Sequence, residues 1–286
     1  MRVLVTGASG FVGSHLAPAL ADAGHEVLAV VRRPGSAPAG ATEVAADLAR
    51  DRLELPAADA VVHLAQANTR FPDGAAELYA VNTAATQRLL DHARRTGARR
   101  FVLASTGSVY GFADPPLSED DPVRADDFYA LTKIHAEALV AAYRGFFATA
   151  VLRLFVPYGP GQEGRMIPAL AARVREGRPV TLNGGGRPRS NPVYVGDVVR
   201  VVAAALERDE HVLVNVAGDE VVGVGELAER MGAVLGRRPL LEQGAPDAPG
   251  DIVADTGRLH ALFALRPLVG LDEGLRRTLG APVVTA

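Results

Sequence analysis

The chain has 286 residues, of which 48% are hydrophobic and 22% are charged, the fractions of a globular protein with a sizeable core. Its formal net charge of −3 excludes the strongly basic balance of a nucleic-acid-binding or membrane-surface protein. Cysteine is absent, which excludes disulfides, thiolate metal sites and a cysteine nucleophile, and we expect no bound metal. No run of residues reaches the roughly 18–20 apolar positions of a membrane span, and the first residues lack a signal-peptide pattern. We therefore expect a cytoplasmic protein with neither nucleic-acid nor membrane partners.

Short apolar runs alternate with helical patterns through the first half of the chain. The runs at residues 2–5, 26–31, 60–64, 100–104 and 150–155 predict buried parallel strands. Between them, apolar residues recur at helical spacing along residues 11–20 and 78–90. Strand and helix in repeated succession predict an α/β fold built on a doubly wound parallel sheet.

The pattern changes after residue 159. Clusters of Pro and Gly at residues 157–164 and 184–188 predict loops, and residues 243–250 are expected to form an exposed loop. Short strands at residues 180–182, 192–195 and 212–216 are mixed with helices at residues 166–176, 198–207 and 224–235. We therefore expect a first domain over residues 1–160 and a smaller α/β lobe over residues 161–286. The strand at residues 212–216 is a candidate to return to the main sheet.

A glycine-rich turn links the first strand to the first helix. Gly7 permits a tight turn, Gly10 lets a pyrophosphate approach the backbone, and Gly13 lets the helix pack closely on the strand. Phe11 and Val12 open the helix, whose N-terminal N–H groups would face the phosphates. Between the first strand and the first helix, this spacing predicts a Rossmann-type NAD(P) site; the alternative is an ordinary glycine turn.

The end of the second strand indicates which nicotinamide cofactor binds. An NAD site usually offers an acidic residue here, whereas this chain has Arg32 and Arg33. A guanidinium can bind a 2′-phosphate through two parallel hydrogen bonds, so NADP(H) is the preferred cofactor and NAD(H) the alternative. Asp47 and Leu48 follow the third strand, where the carboxylate could accept a hydrogen bond from the adenine amino group. The alternatives are two solvated arginines at the first pair and a helix cap at the second.

A single lysine stands among 30 basic residues, and it is Lys133. It follows Tyr129 by four residues inside a helical pattern over residues 127–143, which places both side chains on one helix face. A tyrosine acting as acid or base near neutral pH needs its ordinary pKa of ~10 lowered, and a compact ammonium favours the phenolate. The same ammonium can bond the nicotinamide ribose, and a guanidinium cannot replace it. The spacing predicts a catalytic Tyr–Lys pair; the alternative is an amphipathic helix in which both residues are incidental.

Several hydroxyl groups follow the strand at residues 100–104. Ser105, Thr106 and Ser108 stand at its C-terminal end, the edge at which ligands bind in open α/β sheets. Any of them could bond a carbonyl or carbinol oxygen and stabilise its developing charge. A Ser/Thr turn motif without function is the alternative.

Together these motifs resemble the extended short-chain dehydrogenases/reductases, the NAD-dependent epimerase/dehydratase family. The matching blocks follow the family's order and lie at residues 6–16, 61–65, 79–83, 100–111, 129–133, 152–161 and 193–198. By resemblance, Thr106 takes the place of the family's catalytic Ser/Thr, and Tyr129 and Lys133 match its Tyr-x-x-x-Lys pair, which also contacts the cofactor. The resemblance further implies that the backbone at Leu64, Ala65 and Gln66 passes the cofactor, although Gln66 stands where Ala is usual.

Some positions depart from the family pattern. Members that use NAD carry an Asp at the position of Val31, so this chain looks like the NADPH-dependent reductases. The 4,6-dehydratases follow the catalytic Thr with Asp-Glu, whereas Gly107 and Ser108 stand here, which argues against dehydration. Val156, Ser190 and Ala248 replace the Asn and the two arginines with which epimerases hold a substrate diphosphate, and Arg187 and Arg189 lie close enough to substitute.

The resemblance therefore implies an NADP(H)-dependent ketoreductase that acts on a keto-sugar, possibly a nucleotide-linked one, by hydride transfer. In this interpretation Tyr129 exchanges the proton, Lys133 tunes it, and Thr106 bonds the reacting oxygen. A nucleotide-sugar epimerase that uses bound NAD is the first alternative, and a non-catalytic cofactor-sensing protein is the second. Because the family often forms dimers through paired helices, a homodimer is also expected.

Overall fold

The computed structural model describes residues 1–50, 53–113 and 116–280. Its strands are β1 (Arg2–Thr6), β2 (Glu26–Val31), β3 (Ala41–Ala45), β4 (Ala60–His63), β5 (Arg100–Thr106), β6 (Ala148–Leu154), β7 (Pro157–Tyr158), β8 (Val180–Leu182), β9 (Val193–Tyr194), β10 (Val212–Val216) and β11 (Leu241–Gln243). Its α-helices are α1 (Phe11–Asp22), α2 (Ala75–Tyr79), α3 (Ala85–Thr96), α4 (Phe128–Ala142), α5 (Met166–Glu176), α6 (Val195–Leu206), α7 (Val224–Leu235), α8 (Gly257–Phe263) and α9 (Leu271–Leu279). A π-helical turn at Ala80–Ala84 joins α2 to α3, and 3-10 turns occupy Gly107–Tyr110 and Asn183–Gly185.

Seven strands form the main sheet, in the order β10-β6-β5-β4-β1-β2-β3. Strand β1 pairs in parallel with β2 and β4, β2 with β3, and β4 with β5. The order reverses between β1 and β4, and this reversal is the point at which open α/β sheets bind ligands. The α/β class and the doubly wound Rossmann order predicted from the sequence are confirmed.

The strands of this sheet are apolar along their whole length because helices cover both faces of a parallel sheet. All four residues of β4 are buried, as are the five residues of β2 that follow Glu26. Leu4, Val61 and Phe101 from three adjacent strands pack with Leu89 and Leu90 of α3 in one core. This core fixes the strand ends from which the candidate site is built.

The chain divides into two compact units that alternate along the sequence. The first holds residues 1–111, 122–153 and 199–214, and the second holds residues 112–121, 154–198 and the described residues from 215 onward. The predicted division at residue 160 is simpler than this. Residues 154–198 belong to the second unit, and the chain then returns to the main sheet at β10.

The second unit has its own core. Leu170 and Val174 of α5 pack with Leu227 and Met231 of α7 and with Leu275 of α9. Two short parallel pairs, β8 with β11 and β7 with β9, complete its secondary structure. No helix in either unit, over the described ranges, is long and apolar enough to span a bilayer.

Several element boundaries match the sequence pattern, and a few differ. The bounds of β2, β8, β10, α5 and α7 are those predicted. The predicted helix at residues 78–90 is instead α2, the π-helical turn and α3, and residue 195 of the predicted strand at 192–195 begins α6. Gln243, expected in an exposed loop, is the last residue of β11.

Candidate active site

The turn between β1 and α1 has the geometry that its glycines require. Gly7 has φ +68°, in the left-handed region that favours glycine. A Cβ at Gly7 would lie 2.6 Å from the backbone nitrogen of Ala65, and one at Gly13 would lie 2.2 Å from the Gly7 carbonyl oxygen. The amide of Gly10 donates to the same Gly7 carbonyl at 2.9 Å. Side chains at Gly7 and Gly13 would therefore force apart the turn, the helix and the backbone after β4.

The N-terminus of α1 is suited to an anion. Gly10 caps the helix with extended backbone and contributes no side-chain cap, and Phe11 and Val12, which follow, are half-buried. The first N–H groups of a helix lack intrahelical partners and carry a partial positive charge, so they can bind a phosphate. The turn formed by Gly7, Gly10 and Gly13, here called the glycine cradle, and the N-terminus of α1 together fit the pyrophosphate of a dinucleotide.

The backbone after β4 closes the other side of the turn. The Leu64 amide donates to the Thr6 carbonyl at 3.2 Å, and the Ala65 amide donates to the Thr6 hydroxyl at 3.4 Å. Leu64 and Ala65 thus lie against the end of β1, directly beside Gly7. The structure brings these two predicted residues together with the glycine turn.

Arg32 and Arg33 lie just beyond β2 and are exposed. The Arg32 guanidinium is 68% exposed and lies 3.7 Å from the Glu77 carboxylate of α2. The Arg33 carbonyl accepts from the backbone amide of Ser36, so Arg33 begins a turn. Both guanidinium groups are therefore placed in solvent at the end of the second strand, where a cofactor phosphate could reach them.

Asp47 and Leu48 have local structural partners. The Asp47 carboxylate accepts from the Ala49 amide at 2.9 Å, which closes a turn. Leu48 is buried in the core of the first unit, and its carbonyl accepts from the Arg88 guanidinium. Among the described residues Asp47 caps a turn and not the helix that the alternative interpretation expected, and the adenine contact stays a prediction.

Tyr129 and Lys133 lie at the start of α4, whose N-cap is Asp127. The Asp127 carboxylate accepts from the Ala130 amide at 2.6 Å, so the helix begins immediately before the pair. The ammonium of Lys133 lies 6.0 Å from the centroid of the Tyr129 ring. The Tyr129 hydroxyl donates to Oε1 of Gln66 at 2.9 Å. One helix turn therefore holds the pair together, as the spacing predicts.

The Lys133 side chain is only 2% exposed, and its Nζ donates to the Ala104 carbonyl of β5 at 2.8 Å. Burial lowers the pKa of Lys133 to about 8, and the negative charge of Glu137 opposes this shift. An ammonium therefore persists at neutral pH next to the phenol of Tyr129. The contact with β5 also ties the Tyr–Lys helix to the strand that carries the predicted hydroxyls.

Thr106 ends β5, two residues beyond the carbonyl that Lys133 contacts. Its hydroxyl accepts from the Ser108 amide and donates to the Ser108 hydroxyl, both at 3.2 Å. Ser105, whose side chain leaves the opposite face of the strand, donates to Glu137 instead. Thr106 is half-buried at the C-terminal end of β5, while Ser105 belongs to a buried network.

That network was not predicted from the sequence. The Arg153 guanidinium bonds the Glu137 carboxylate with two nitrogens, the shortest contact being 2.7 Å, and it bonds the Tyr110 hydroxyl at 2.7 Å. The Glu137 and Arg153 side chains are 12% and 5% exposed. Glu137 follows Lys133 by four residues, and this second repeat of the helical spacing was the signal available in the sequence.

A second polar network lies beside the cofactor turn. Buried His63 bonds Thr6 through Nδ1 at 2.7 Å and Thr86 through Nε2 at 3.1 Å. Burial, with a smaller contribution from the positive charge of Lys133, lowers the pKa of His63 to about 3. His63 is therefore neutral at physiological pH and connects the end of β1 to α3.

Comparison with known proteins agrees with this geometry. The model of the NAD dependent epimerase/dehydratase family matches residues 3–217. A dTDP-4-dehydro-6-deoxy-D-allose reductase of Streptomyces bikiniensis is 34% identical over 96% of this chain and 95% of its own length. A probable UDP-glucuronate 4-epimerase of Rhizobium meliloti is 28% identical over 97% of this chain and 95% of its own.

Solved structures give the same answer. MoeE5 in complex with UDP-glucuronic acid and NAD has a TM-score of 0.85 at 33% identity, covering 98% of both chains. The UDP-glucuronic acid 4-epimerase of Bacillus cereus in complex with NAD has a TM-score of 0.87 at 27% identity, again over 98% of both chains. The chain therefore belongs to the NAD-dependent epimerase/dehydratase family, the extended short-chain dehydrogenases/reductases, and is an enzyme of that family.

Proposed function

We propose that this enzyme is an NADP(H)-dependent ketoreductase that acts on a nucleotide-linked keto-sugar. The observation that carries the proposal is the hydrogen bond from the Lys133 ammonium to the Ala104 carbonyl. The same ammonium nitrogen lies 6.0 Å from the centroid of the Tyr129 ring. This arrangement joins the only lysine of the chain, a tyrosine one helix turn away, and the strand that ends at Thr106. A general acid, a cation that tunes it and a hydroxyl are the groups that carbonyl reduction needs.

Each residue has one role in the proposed reaction. A bound reduced nicotinamide supplies a hydride to the carbonyl carbon. Tyr129 donates its phenolic proton to the carbonyl oxygen, so the C=O bond becomes CH–OH, and the phenol later regains a proton from solvent. Thr106 donates a hydrogen bond to the same oxygen while it gains charge, and the Lys133 ammonium stabilises the phenolate.

The cofactor is held by the glycine cradle and selected by the arginines. Gly7, Gly10 and Gly13 admit the pyrophosphate to the N-terminus of α1, with Leu64 and Ala65 on the other side of the turn. Exposed Arg32, with Arg33 beside it, provides the charge that binds a 2′-phosphate and so favours NADP(H) over NAD(H).

The substrate class is taken from the relatives. The allose reductase, at 34% identity, acts by its name on a dTDP-linked 4-dehydro sugar, and MoeE5 is solved with UDP-glucuronic acid. These names support a nucleoside-diphosphate sugar that carries a ketone. Arginine next to the 2′-position of the adenosine ribose favours NADP(H) over NAD(H). Because cells keep NADP(H) mainly in its reduced form, this favours net reduction over epimerisation.

Epimerisation is the second candidate, since a UDP-glucuronic acid 4-epimerase solved with NAD shares the fold over 98% of both chains, and a probable 4-epimerase is 28% identical. An epimerase returns its hydride to the same substrate and gains by retaining its nicotinamide, whereas a reductase must exchange it at every turnover. The two candidates therefore differ in cofactor retention as well as in product.

The experiment uses the purified full chain. We expect it to release little nicotinamide on denaturation and to oxidise NADPH stoichiometrically with dTDP-4-dehydro-6-deoxy-D-allose, with little reaction toward a simple ketone that lacks the nucleotide. Tightly retained NAD, together with inversion of UDP-glucuronic acid and no net change in NADPH absorbance, would establish the epimerase instead. Absence of turnover with every compound would contradict both.

The family resemblance also supports a homodimer through paired helices that include α4, the helix with Tyr129 and Lys133. Leu131 on α4 and Phe146 just after it are 36% and 61% exposed, although both are apolar. Sedimentation velocity of the full chain measures the state directly, and a monomer at micromolar concentration would contradict this part of the proposal.

A further inference from the structure

Gln66 forms a hydrogen bond with Tyr129, which lies 63 positions away in the chain. It lies three residues beyond β4, is exposed, and accepts the hydroxyl proton of Tyr129 through Oε1 at 2.9 Å. This distance is that of a well-formed hydrogen bond. The proton in this bond is the one that Tyr129 must deliver to the substrate under the proposed function.

The orientation of the Gln66 amide is set by a neighbour. Its Nε2 donates to Oδ1 of Asn68 at 3.5 Å, a long contact that leaves Oε1 to face Tyr129. The amide could be turned over, because its oxygen and nitrogen differ little in shape. The Asn68 contact and the donor character of a phenol both favour the orientation with Oε1 toward Tyr129.

The backbone beside Gln66 is held at a fixed place relative to α4. The Ala67 amide donates to Oδ1 of Asn82 at 3.0 Å, and Nδ2 of Asn82 donates to the Thr132 hydroxyl at 3.0 Å. The Thr132 hydroxyl in turn donates to the Tyr129 carbonyl at 2.7 Å. Asn82, buried in the π-helical turn, thus connects the residue after Gln66 to the helix turn that carries Tyr129.

A hydrogen-bond acceptor distinguishes the two forms of a phenol. A carbonyl oxygen can bond the protonated hydroxyl but has no proton to offer a phenolate, so it stabilises the protonated form. Reduction of a ketone requires that form, because the phenol is the proton donor. An acceptor that is exposed and can be displaced also leaves the hydroxyl aimed outward until a carbonyl arrives.

We propose that Gln66 is a positioning residue that keeps the Tyr129 hydroxyl protonated and oriented until the substrate oxygen replaces the Gln66 carbonyl as its acceptor. The inference rests on the proposed role of Tyr129 as the proton donor. No covalent bond changes in this step, since the phenolic proton exchanges one acceptor for another.

Other charged or titratable groups lie on the elements that surround Tyr129. Lys133, on the same helix, favours the phenolate, and its neighbour Glu137 is paired with Arg153. Asp127, at the N-cap of α4, is bonded to a backbone amide. From β4, His63 is buried and neutral near Lys133. Gln66 is itself uncharged, so a variant at this position isolates its hydrogen bond.

The test is a pH titration of tyrosinate absorbance, which needs neither substrate nor cofactor. The spectrum of each full-length protein is compared with that of the same protein carrying Tyr129→Phe, so the difference reports Tyr129 alone among the six tyrosines. We expect Gln66→Ala to lower the pH midpoint of Tyr129 ionisation by about half a unit, the equivalent of one neutral hydrogen bond. We expect Gln66→Glu to raise it, because a carboxylate is a stronger acceptor and repels the phenolate.

Gln87→Ala is the matched control, since it removes an amide that bonds Asp91 on α3 and should leave the midpoint of Tyr129 unchanged. Equal midpoints in the wild type and Gln66→Ala, or shifts of the same sign in Gln66→Ala and Gln66→Glu, would overturn the inference. Because the titration is done without substrate, it can fail while the ketoreductase assay succeeds, and it can succeed while that assay fails.

Discussion

Lys133 shows at the scale of one residue why this chain departs from its own habit of using arginine. Its Nζ is buried against the Ala104 carbonyl, where a planar guanidinium with five donors could not be satisfied by one acceptor. A lysine can also be accommodated with a pKa near 8 and remain charged at neutral pH. The composition thus marks a buried position whose contact with one carbonyl suits a compact ammonium.

Removal of the Tyr129 hydroxyl tests the acid role directly. We expect Tyr129→Phe to lower kcat by ~10²-fold or more, the usual loss for a positioned general acid, while the fold is retained. The measurement is the rate of NADPH oxidation with the keto-sugar, with circular dichroism as the check on folding. Tyr143→Phe, at the C-cap of α4, removes a phenol bonded to Asp91 of α3; it is the matched control and should keep near-wild-type turnover. Activity of Tyr129→Phe within a few-fold of the wild type would exclude the assigned role.

Arg32 provides the corresponding test of cofactor choice. We expect Arg32→Ala to weaken NADP(H) binding by roughly 10-fold or more and to leave NAD(H) binding nearly unchanged, because a charge-assisted bond to phosphate contributes about 1.5–3 kcal/mol. Glu77→Gln removes a carboxylate that lies 3.7 Å from the same guanidinium, so it should strengthen NADP(H) binding. Fluorescence titration of both cofactors measures each effect, and tighter binding of NAD(H) than NADP(H) by the wild type would contradict the proposal.

What sequence could predict at this scale depended on distance along the chain. Tyr129 and Lys133 are four residues apart on one helix, so a local rule finds them. Gln66 reaches Tyr129 across 63 positions, and Glu137 reaches Arg153 across 16, from another element. Helical spacing places Glu137 on the same face as Lys133, but it does not say which residue of another element that face meets, because this depends on how the elements pack.

At the scale of elements, helix ends offer a clean measure of backbone strain. The C-cap of α7 is Gly236 with φ +64°, and the C-cap of α8 is Ala264 with φ +46°; both cap residues are exposed. The left-handed conformation costs an alanine roughly 1–2 kcal/mol, while a glycine loses more entropy on folding by about 0.4–1 kcal/mol. We therefore expect Ala264→Gly to stabilise the protein by about 0.5–1 kcal/mol.

The reverse substitution is the control for this prediction. A Cβ at Gly236 would contact no atom within 4 Å, so Gly236→Ala changes backbone strain alone and should destabilise by a similar amount. Urea denaturation of both variants gives the two free energies of unfolding. If both substitutions changed the free energy of unfolding in the same direction, backbone strain at the helix ends would not be the cause of the changes.

Elements with a single strong period were predictable, and mixed ones were not. Helices α5 and α7 have an apolar face at a constant helical spacing and glycine at their C-caps, and their bounds match the prediction. The π-helical turn at Ala80–Ala84 adds a residue within an otherwise regular pattern and brings Asn82 inward, where it bonds Ala67 and Thr132. The helical spacing of apolar residues continues through this turn, so it does not reveal the π-helical conformation. The hydrogen bonds of Asn82 to residues distant in the chain account for that conformation.

At the scale of the whole molecule, buried His63 couples stability to pH. The pKa of His63 is about 3 in the folded protein, against an ordinary value near 6.5 when it is exposed. Between these values the unfolded chain binds a proton that the folded protein does not. The contribution is therefore complete above pH ~6.5 and is lost as the pH falls toward 3, with a slope of at most about 1.4 kcal/mol per pH unit.

We expect the free energy of unfolding to decline between pH 6.5 and 4 more steeply in the wild type than in His63→Gln. The variant should be less stable at pH 7, because it disturbs the bonds to Thr6 and Thr86, yet its pH dependence should be shallower since glutamine does not titrate. His135→Gln, at an exposed position of α4, controls for the loss of a histidine as such. Urea titrations at several pH values give the slopes. Equal slopes for the wild type and His63→Gln would mean that other groups control acid sensitivity and that the network around the cofactor turn tolerates a charged His63.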